Sequence, residues 1–322
     1  MDLLTKIAEA LGLATPEHRT EFLDRYEIVR DLGSGAMGTV HLARHVDTGE
    51  RRVIKEQVAE NRGDRNRIQN EIDVGTAVDH PGICSTHAYQ VDGSTYYLLQ
   101  DYVEGPPLRQ LLRDWTIEEE GEPPFIDETT FGNVFFCLTD ALNVIHRNGY
   151  LHLDVKPGNI LIRRDGDRDG DPFDPYIIDF GVAVPQSETI SNPKGSMFHM
   201  APEVAGVGLF DRGEVGPRSD LYSLGATMYE LATGRPPHLP AFFRDRDENW
   251  NRLWEQYQKQ PDSVRREHEK NMLRSRLENP ADFSLFPYGD RLAEITRNCL
   301  KIPPARRYPN ADRVLQALRT VR

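Results

Sequence analysis

The stretch His152–Asn159, reading HLDVKPGN, sets a carboxylate (Asp154), an ammonium (Lys156) and an amide (Asn159) within six residues. Pro157 and Gly158 enforce an irregular backbone between them. A transferring phosphoryl group needs a carboxylate to receive a hydroxyl proton, a cation near the moving charge, and an oxygen ligand for magnesium. The three side chains fit those roles. Taken alone, the same loop would also serve as an ordinary turn after a helix.

The elements that would position such chemistry lie upstream. From Tyr26 the pattern turns to alternation, and YEIVRDLGSGAMGTVHLARH reads as two strands around a glycine-rich turn. Gly33, Gly35 and Gly38 spell G-x-G-x-x-G, with Val40 two residues on. Dinucleotide-binding folds share the motif, but there the glycines open a helix, whereas Thr39–Ala43 continues as a β-type run. Glycines in a hairpin let backbone amides lie over phosphates instead. The next strand holds Val53, Ile54 and Lys55, and the following helix, about 65–78, carries Glu71. Lys55 is either a buried lysine that needs a partner, for which Glu71 is the candidate, or a surface lysine on a strand edge.

With 322 residues, 38% hydrophobic and 28% charged, the chain reads as globular with a sizeable core. Its formal charge of −12 speaks against nucleic-acid or acidic-membrane partners, which require a basic field. Cys84, Cys137 and Cys299 lack metal-ligand spacing and point to buried thiols in a reducing compartment. Leu3, Leu4, Ile7, Ala8 and Leu11 form an amphipathic helical stripe ended by Gly12, and Thr15–Pro16 starts a second helix reaching about Asp24. This N-terminus is no secretory signal. The most apolar stretch, Phe131–Ile145, is interrupted by polar residues and falls short of the roughly 20 residues of a membrane span.

The ordered series GSGAMGTV, VIK, Glu71, HLDVKPGN, Asp179-Phe180-Gly181 and Ala201-Pro202-Glu203 resembles the protein kinase signature set, in its eukaryotic-like (Hanks-type) serine/threonine form found in bacteria. The resemblance implies an α+β bilobal fold. A β-rich N-lobe with helix C (26–99), a hinge (100–105) and a mainly helical C-lobe (106–322) would follow an N-terminal extension (1–25). ATP would lie between the lobes. Gly33, Gly35 and Gly38 would cover its phosphates, Lys55 would hold them and Glu71 would orient Lys55. Val40, Val53, Gln100, Asp101, Val103 and Leu161 would line the nucleotide site, with Val53 where the family more often has alanine. Asp154 would take the acceptor proton, Lys156 would stabilise the γ-phosphate, and Asn159 and Asp179 would hold Mg2+. Lys156, with Ser196 in GSMFHMAPE, fits the serine/threonine type, so protein substrates with Ser or Thr acceptors are expected. Asp220 resembles the aspartate that braces the catalytic loop, and Arg307 the partner of Glu203.

The chain also departs from that pattern. Leu153 stands where many regulated kinases have an arginine that pairs with a phosphorylated activation segment, so activity is expected without phosphorylation at Ser187, Thr189 or Ser191. Gly75 stands where a bulky residue is usual, which implies a loosely held helix C. His199 replaces a frequent tyrosine and reads as packing, as does His152. Asp165, Asp167, Asp169 and Gly170 open a calcium-loop pattern, but position twelve is Tyr176, and a solvated acidic turn is the simpler account. An acidic insertion near 114–127 could favour basic peptides; a second near 240–286, with Trp250, Trp254 and Tyr257 at helical spacing, either packs on the C-lobe or carries a docking surface, and there or at the N-terminal extension a regulatory protein would bind. The rival readings are a nucleotide-binding pseudokinase or scaffold and a small-molecule phosphotransferase. The place of action by analogy is the cytoplasm.

Overall fold

The computed structural model describes residues 22–35, 38–118, 126–163, 173–188, 195–205, 215–238, 259–261, 264 and 281–321. The N-terminal stripe, the acidic loop 165–170, Thr189, Ser191 and the three aromatics of the second insertion lie outside them. The described chain forms two compact units: the residues up to Glu104 together with Ile178–Val184, and Gly105–Ile177 together with the residues from Pro185 on.

In the first unit, β1 (Tyr26–Gly35), β2 (Gly38–His45), β3 (Arg51–Val58), β4 (Thr86–Asp92) and β5 (Thr95–Asp101) form an antiparallel sheet of order β1-β2-β3-β5-β4. Strand alternation divides its core in two. Leu98, opposite Lys55 in the register, packs with Ala59, Ile68 and Ile72 under helix α1 (Arg62–Ala77). On the opposite face Ile54 and Leu99 pack with Ala43, Ala88 and Phe22. Phe22 is 4% exposed, and the Phe22 and Leu23 amides donate to Gln90 Oε1 at 3.2 and 3.4 Å. The sheet core thus takes in residues ahead of Tyr26. Where a helix was expected to reach Asp24, Leu23–Arg25 is a single 3-10 turn.

Helix α1 starts at Asn61, whose side chain accepts from the Asp64 amide at 3.1 Å, a cap that stabilises by about 1 kcal/mol. Gly75 does not leave the helix slack. A Cβ placed on it would lie 2.3 Å from Thr86 Oγ1, so β4 occupies the space a larger side chain would fill. The expectation of a missing packing group overlooked that a neighbouring strand can supply it.

The second unit contains α2 (Leu108–Glu118), α3 (Glu128–Arg147), the short β6 (Tyr150–Leu151), the hairpin β7 (Ile160–Arg163) and β8 (Asp174–Ile177), α4 (Pro217–Thr233), α5 (Asp290–Cys299) and α6 (Ala311–Leu318). Strands β7 and β8 pair antiparallel, from Ile160 opposite Ile177 to Arg163 opposite Asp174. Helix α4 is buried from Ser219 to Ala232, and Leu221, Leu224, Met228 and Leu231 each contribute about 1.5–3 kcal/mol of apolar burial. Gly225 makes its close packing possible, since a Cβ there would meet Cys299 Cβ of α5 at 2.6 Å. Beside it Arg307 grips Glu203 with two bonds of 2.6 and 2.9 Å, both residues buried.

Candidate active site

Lys55 rises from the middle of β3 onto the face shared with Val40, Leu42, Val53, Leu98 and Gln100 by register. It is 7% exposed, and a buried ammonium requires counter-charge. Glu71 of α1 supplies it at 2.6 Å and Asp179 at 3.1 Å. Burial alone would push the Lys55 ammonium down, but these two carboxylates outweigh it and raise its pKa. The surface-lysine alternative is thereby removed. Glu71 is fully buried; Lys55 takes one of its oxygens, and Gln57 Nε2 donates to the other at 2.9 Å.

Asp179 adopts a left-handed backbone, φ 66°, and accepts from the Gly181 amide at 3.2 Å. Leu153, φ 61°, is its counterpart in the second unit, and these two are the non-glycine residues with positive φ among the described residues. Such strain persists only where the surroundings fix it.

What fixes Leu153 is Asp220 at the start of α4. Its carboxylate accepts from the His152 amide at 2.9 Å and the Leu153 amide at 2.7 Å, and bonds His146 Nε2 at 2.8 Å. Burial would raise the pKa of this carboxyl, but the bond to His146, the nearby His146 and His152 rings and the His152 amide hold it below the ordinary value. The buried His152 ring accepts from the Asp154 amide at 3.2 Å, a packing and scaffolding role.

This brace presents Asp154, which is 4% exposed. The Ser196 amide donates to its Oδ1 at 2.7 Å, and Asn159 Nδ2 and the Lys156 ammonium both donate to Oδ2. Asn159 also donates to the Asp154 carbonyl at 3.0 Å. With its amide nitrogen so committed, the Asn159 carbonyl oxygen is the atom left to face a ligand. That oxygen in the second unit, and the Asp179 carboxylate in the first, are each hard oxygen donors of the kind magnesium takes. Gly195 sits at φ +105°, and a Cβ on it would lie 2.3 Å from the Leu153 carbonyl oxygen, so the approach of Ser196 to Asp154 depends on glycine.

The remaining expected positions divide between the units. Val40, Val53, Gln100, Asp101 and Val103 belong to the first, and Leu161 on β7 to the second. Gln100 Nε2 donates to Thr86 Oγ1 at 3.1 Å, beside Gly75. The Asp101 side chain is taken by the Ser85 amide, His87 and Arg52, so only its backbone is left for a base. Gly38, at φ +112°, would strike the Glu56 carbonyl if it carried a Cβ, whereas a Cβ on Gly33 or Gly35 would meet nothing within 4 Å. His199 bonds Glu230 at 2.6 Å inside the second unit, in line with packing. Among the described residues no cluster of three or more metal-ligating side chains is found.

Sequence reasoning missed Gln57, Thr86 and His146. A polar residue in a strand reads as solvent-facing; the available signal was that Gln57 lies two residues from Lys55 and therefore on its face.

Comparison with known proteins agrees with this geometry. The family profile described as protein kinase domain matches residues 26–318. The chain is 31% identical over 242 residues to the serine/threonine-protein kinase PknB of Mycolicibacterium smegmatis, covering 70% of this chain and 35% of that protein. It is 33% identical over 243 residues to PknB of Mycobacterium tuberculosis, covering 70% and 34%, and 35% identical over 221 residues to PknJ of the same species, covering 66% and 34%. The chain thus spans about a third of the length of these curated relatives. The α+β fold, the buried Lys55–Glu71 pair, the braced Asp154 loop and the length of the profile match lead to one conclusion: the chain belongs to the protein kinase family, alongside its Hanks-type bacterial serine/threonine members.

Proposed function

We propose that the chain transfers the γ-phosphoryl group of ATP to Ser or Thr hydroxyls of protein substrates, its own included. The observation that carries this reading is the Asp154 carboxylate, held by the Ser196 amide, Asn159 and Lys156, because a nucleotide-binding scaffold without turnover would have no need of a positioned proton acceptor. Lys55 holds phosphate oxygens, and Glu71 keeps the ammonium from drifting. Asp154 takes the proton as the acceptor oxygen bonds to the γ-phosphorus and the bond to the leaving oxygen breaks. Lys156 balances the charge that develops on the phosphoryl oxygens. Magnesium, held by Asn159 and Asp179, would neutralise phosphate charge. Val40, Val53, Gln100, Asp101, Val103 and Leu161 would contact the base, and Gly33, Gly35 and Gly38 the phosphates. We place the activity in the cytoplasm, where ATP is supplied; among the described residues no helix is long and apolar enough to cross a membrane.

The test is incubation of the purified chain with labelled ATP, magnesium and a basic acceptor protein. Label on Ser or Thr that disappears in Asp154→Asn and Lys55→Met is the expected result. Nucleotide binding without transfer would overturn the reading in favour of a scaffold, and label confined to a small molecule would overturn its substrate class.

A further inference from the structure

A buried carboxylate with one bare oxygen is costly, and Glu71 would be in that position if Lys55 were its only partner. Gln57 prevents it. Lys55 and Gln57 lie two residues apart on one face of β3, so a single strand sends two donors to the two oxygens of Glu71, at 2.6 and 2.9 Å. The amide of Gln57 could point either way, but its far end meets Arg67, whose Nη1 donates to Oε1 at 3.0 Å. A guanidinium only donates, so Oε1 must face Arg67 and Nε2 must face Glu71. Arg67 precedes Glu71 by four residues and shares its face of α1, which closes a ring from helix to strand and back. Gln57 is fully buried, out of reach of bulk solvent. The ring also abuts the Asp179–Gly181 turn: a Cβ on Gly181 would lie 3.6 Å from both Arg67 Nη1 and Glu71 Oε2.

We propose that Gln57, oriented by Arg67, is a positioning residue that holds the Glu71 carboxylate square to Lys55 and thereby sets the efficiency with which the site uses ATP. This rests on the phosphoryl-transfer reading above, and it names a part of that machinery outside the signature motifs. Gln57 touches neither nucleotide nor acceptor in this role and acts through Glu71.

The experiment compares the wild-type chain with Gln57→Leu, Gln57→Glu, Arg67→Met and the double variant Gln57→Leu/Arg67→Met, after circular dichroism has shown that each folds. Gln57→Leu is expected to lower kcat/KM for ATP by at least tenfold while KM for the acceptor stays within twofold. The double variant is expected to be no worse than Gln57→Leu, since Arg67 acts through Gln57. Gln57→Glu supplies a second carboxylate at high pH and a donor once protonated, so its rate relative to wild type should climb as pH falls from 9 to 6. In parallel, acylation of Lys55 by a small amine-reactive reagent, read by mass spectrometry, should rise several-fold in Gln57→Leu. Unchanged kcat/KM, a flat pH ratio and unchanged Lys55 acylation would overturn the proposal. If the wild-type chain transferred no phosphate, the functional reading would fail, and Lys55 acylation would still decide the positioning role.

Discussion

Leu153 and Gly195 show how much of the catalytic loop depends on single backbone positions. Leu153 is buried at 2% exposure in a left-handed conformation, and its apolar side chain offers nothing to a phosphate. Replacing Ser187, Thr189 and Ser191 together with alanine is therefore expected to leave phosphoryl transfer within about threefold of wild type, as a rate assay on the triple variant would show. Gly195→Ala should behave oppositely. A forced Cβ at φ +105° costs about 1–3 kcal/mol of strain and drives the backbone away from Leu153. Transfer should fall at least a hundredfold while the melting temperature drops by only a few degrees. At this scale the pairings seen here, Lys55 with Glu71 and Asp154 with Lys156 and Asn159, announce themselves in the order and type of the motif residues. Gln57 did not, because glutamine in a strand is ordinary, and only the tertiary pairing shows that it is the donor to the Glu71 oxygen that Lys55 leaves.

Among the elements, α1 differs most from expectation. A mid-helix glycine costs about 1 kcal/mol relative to alanine, which made Gly75 read as a weakness. Thr86 occupies its place, so Gly75→Ala should destabilise by about 1–3 kcal/mol through overpacking despite the gain in propensity. Thr86→Gly in the same chain should recover most of that loss, and denaturant unfolding of the four-member cycle would measure the coupling. The two strands around the glycine turn, the strand of Lys55 and the helix of Glu71 were readable from periodicity and glycine placement, whereas the mainly helical C-terminal part followed only from the family resemblance. The attachment of Phe22 to the far face of the sheet was not, since one aromatic residue ahead of a strand carries no period.

For the molecule as a whole, the ionised groups set the pH range of stability. The Asp220 carboxyl, and the Asp101 carboxyl through His87, the Ser85 amide and Arg52 against the cost of burial, titrate below the ordinary value of about 3.9. Their contribution is complete above that pH and disappears as pH falls through their depressed values. The Lys55 contribution has the opposite sign, present below about 10.4 and lost as pH rises through its raised pKa. Thermal melts across pH should thus show an acid limb that Asp220→Asn makes shallower. In the same assay Arg307→Lys, which cannot reproduce the two-pronged grip on Glu203, should lower stability by about 2–3 kcal/mol at neutral pH.

The burial of Cys299 against Gly225 has a pharmacological corollary. Burial pushes its thiol up to about 12 and pushes that of Cys84 up as well, so neither carries appreciable thiolate at neutral pH. Cys137 is the half-buried cysteine of the three, and none is bridged. Electrophilic warheads and mild peroxide would accordingly leave Cys84 and Cys299 intact in the folded chain, and a covalent inhibitor would need to find its anchor at Cys137 or among the lysines.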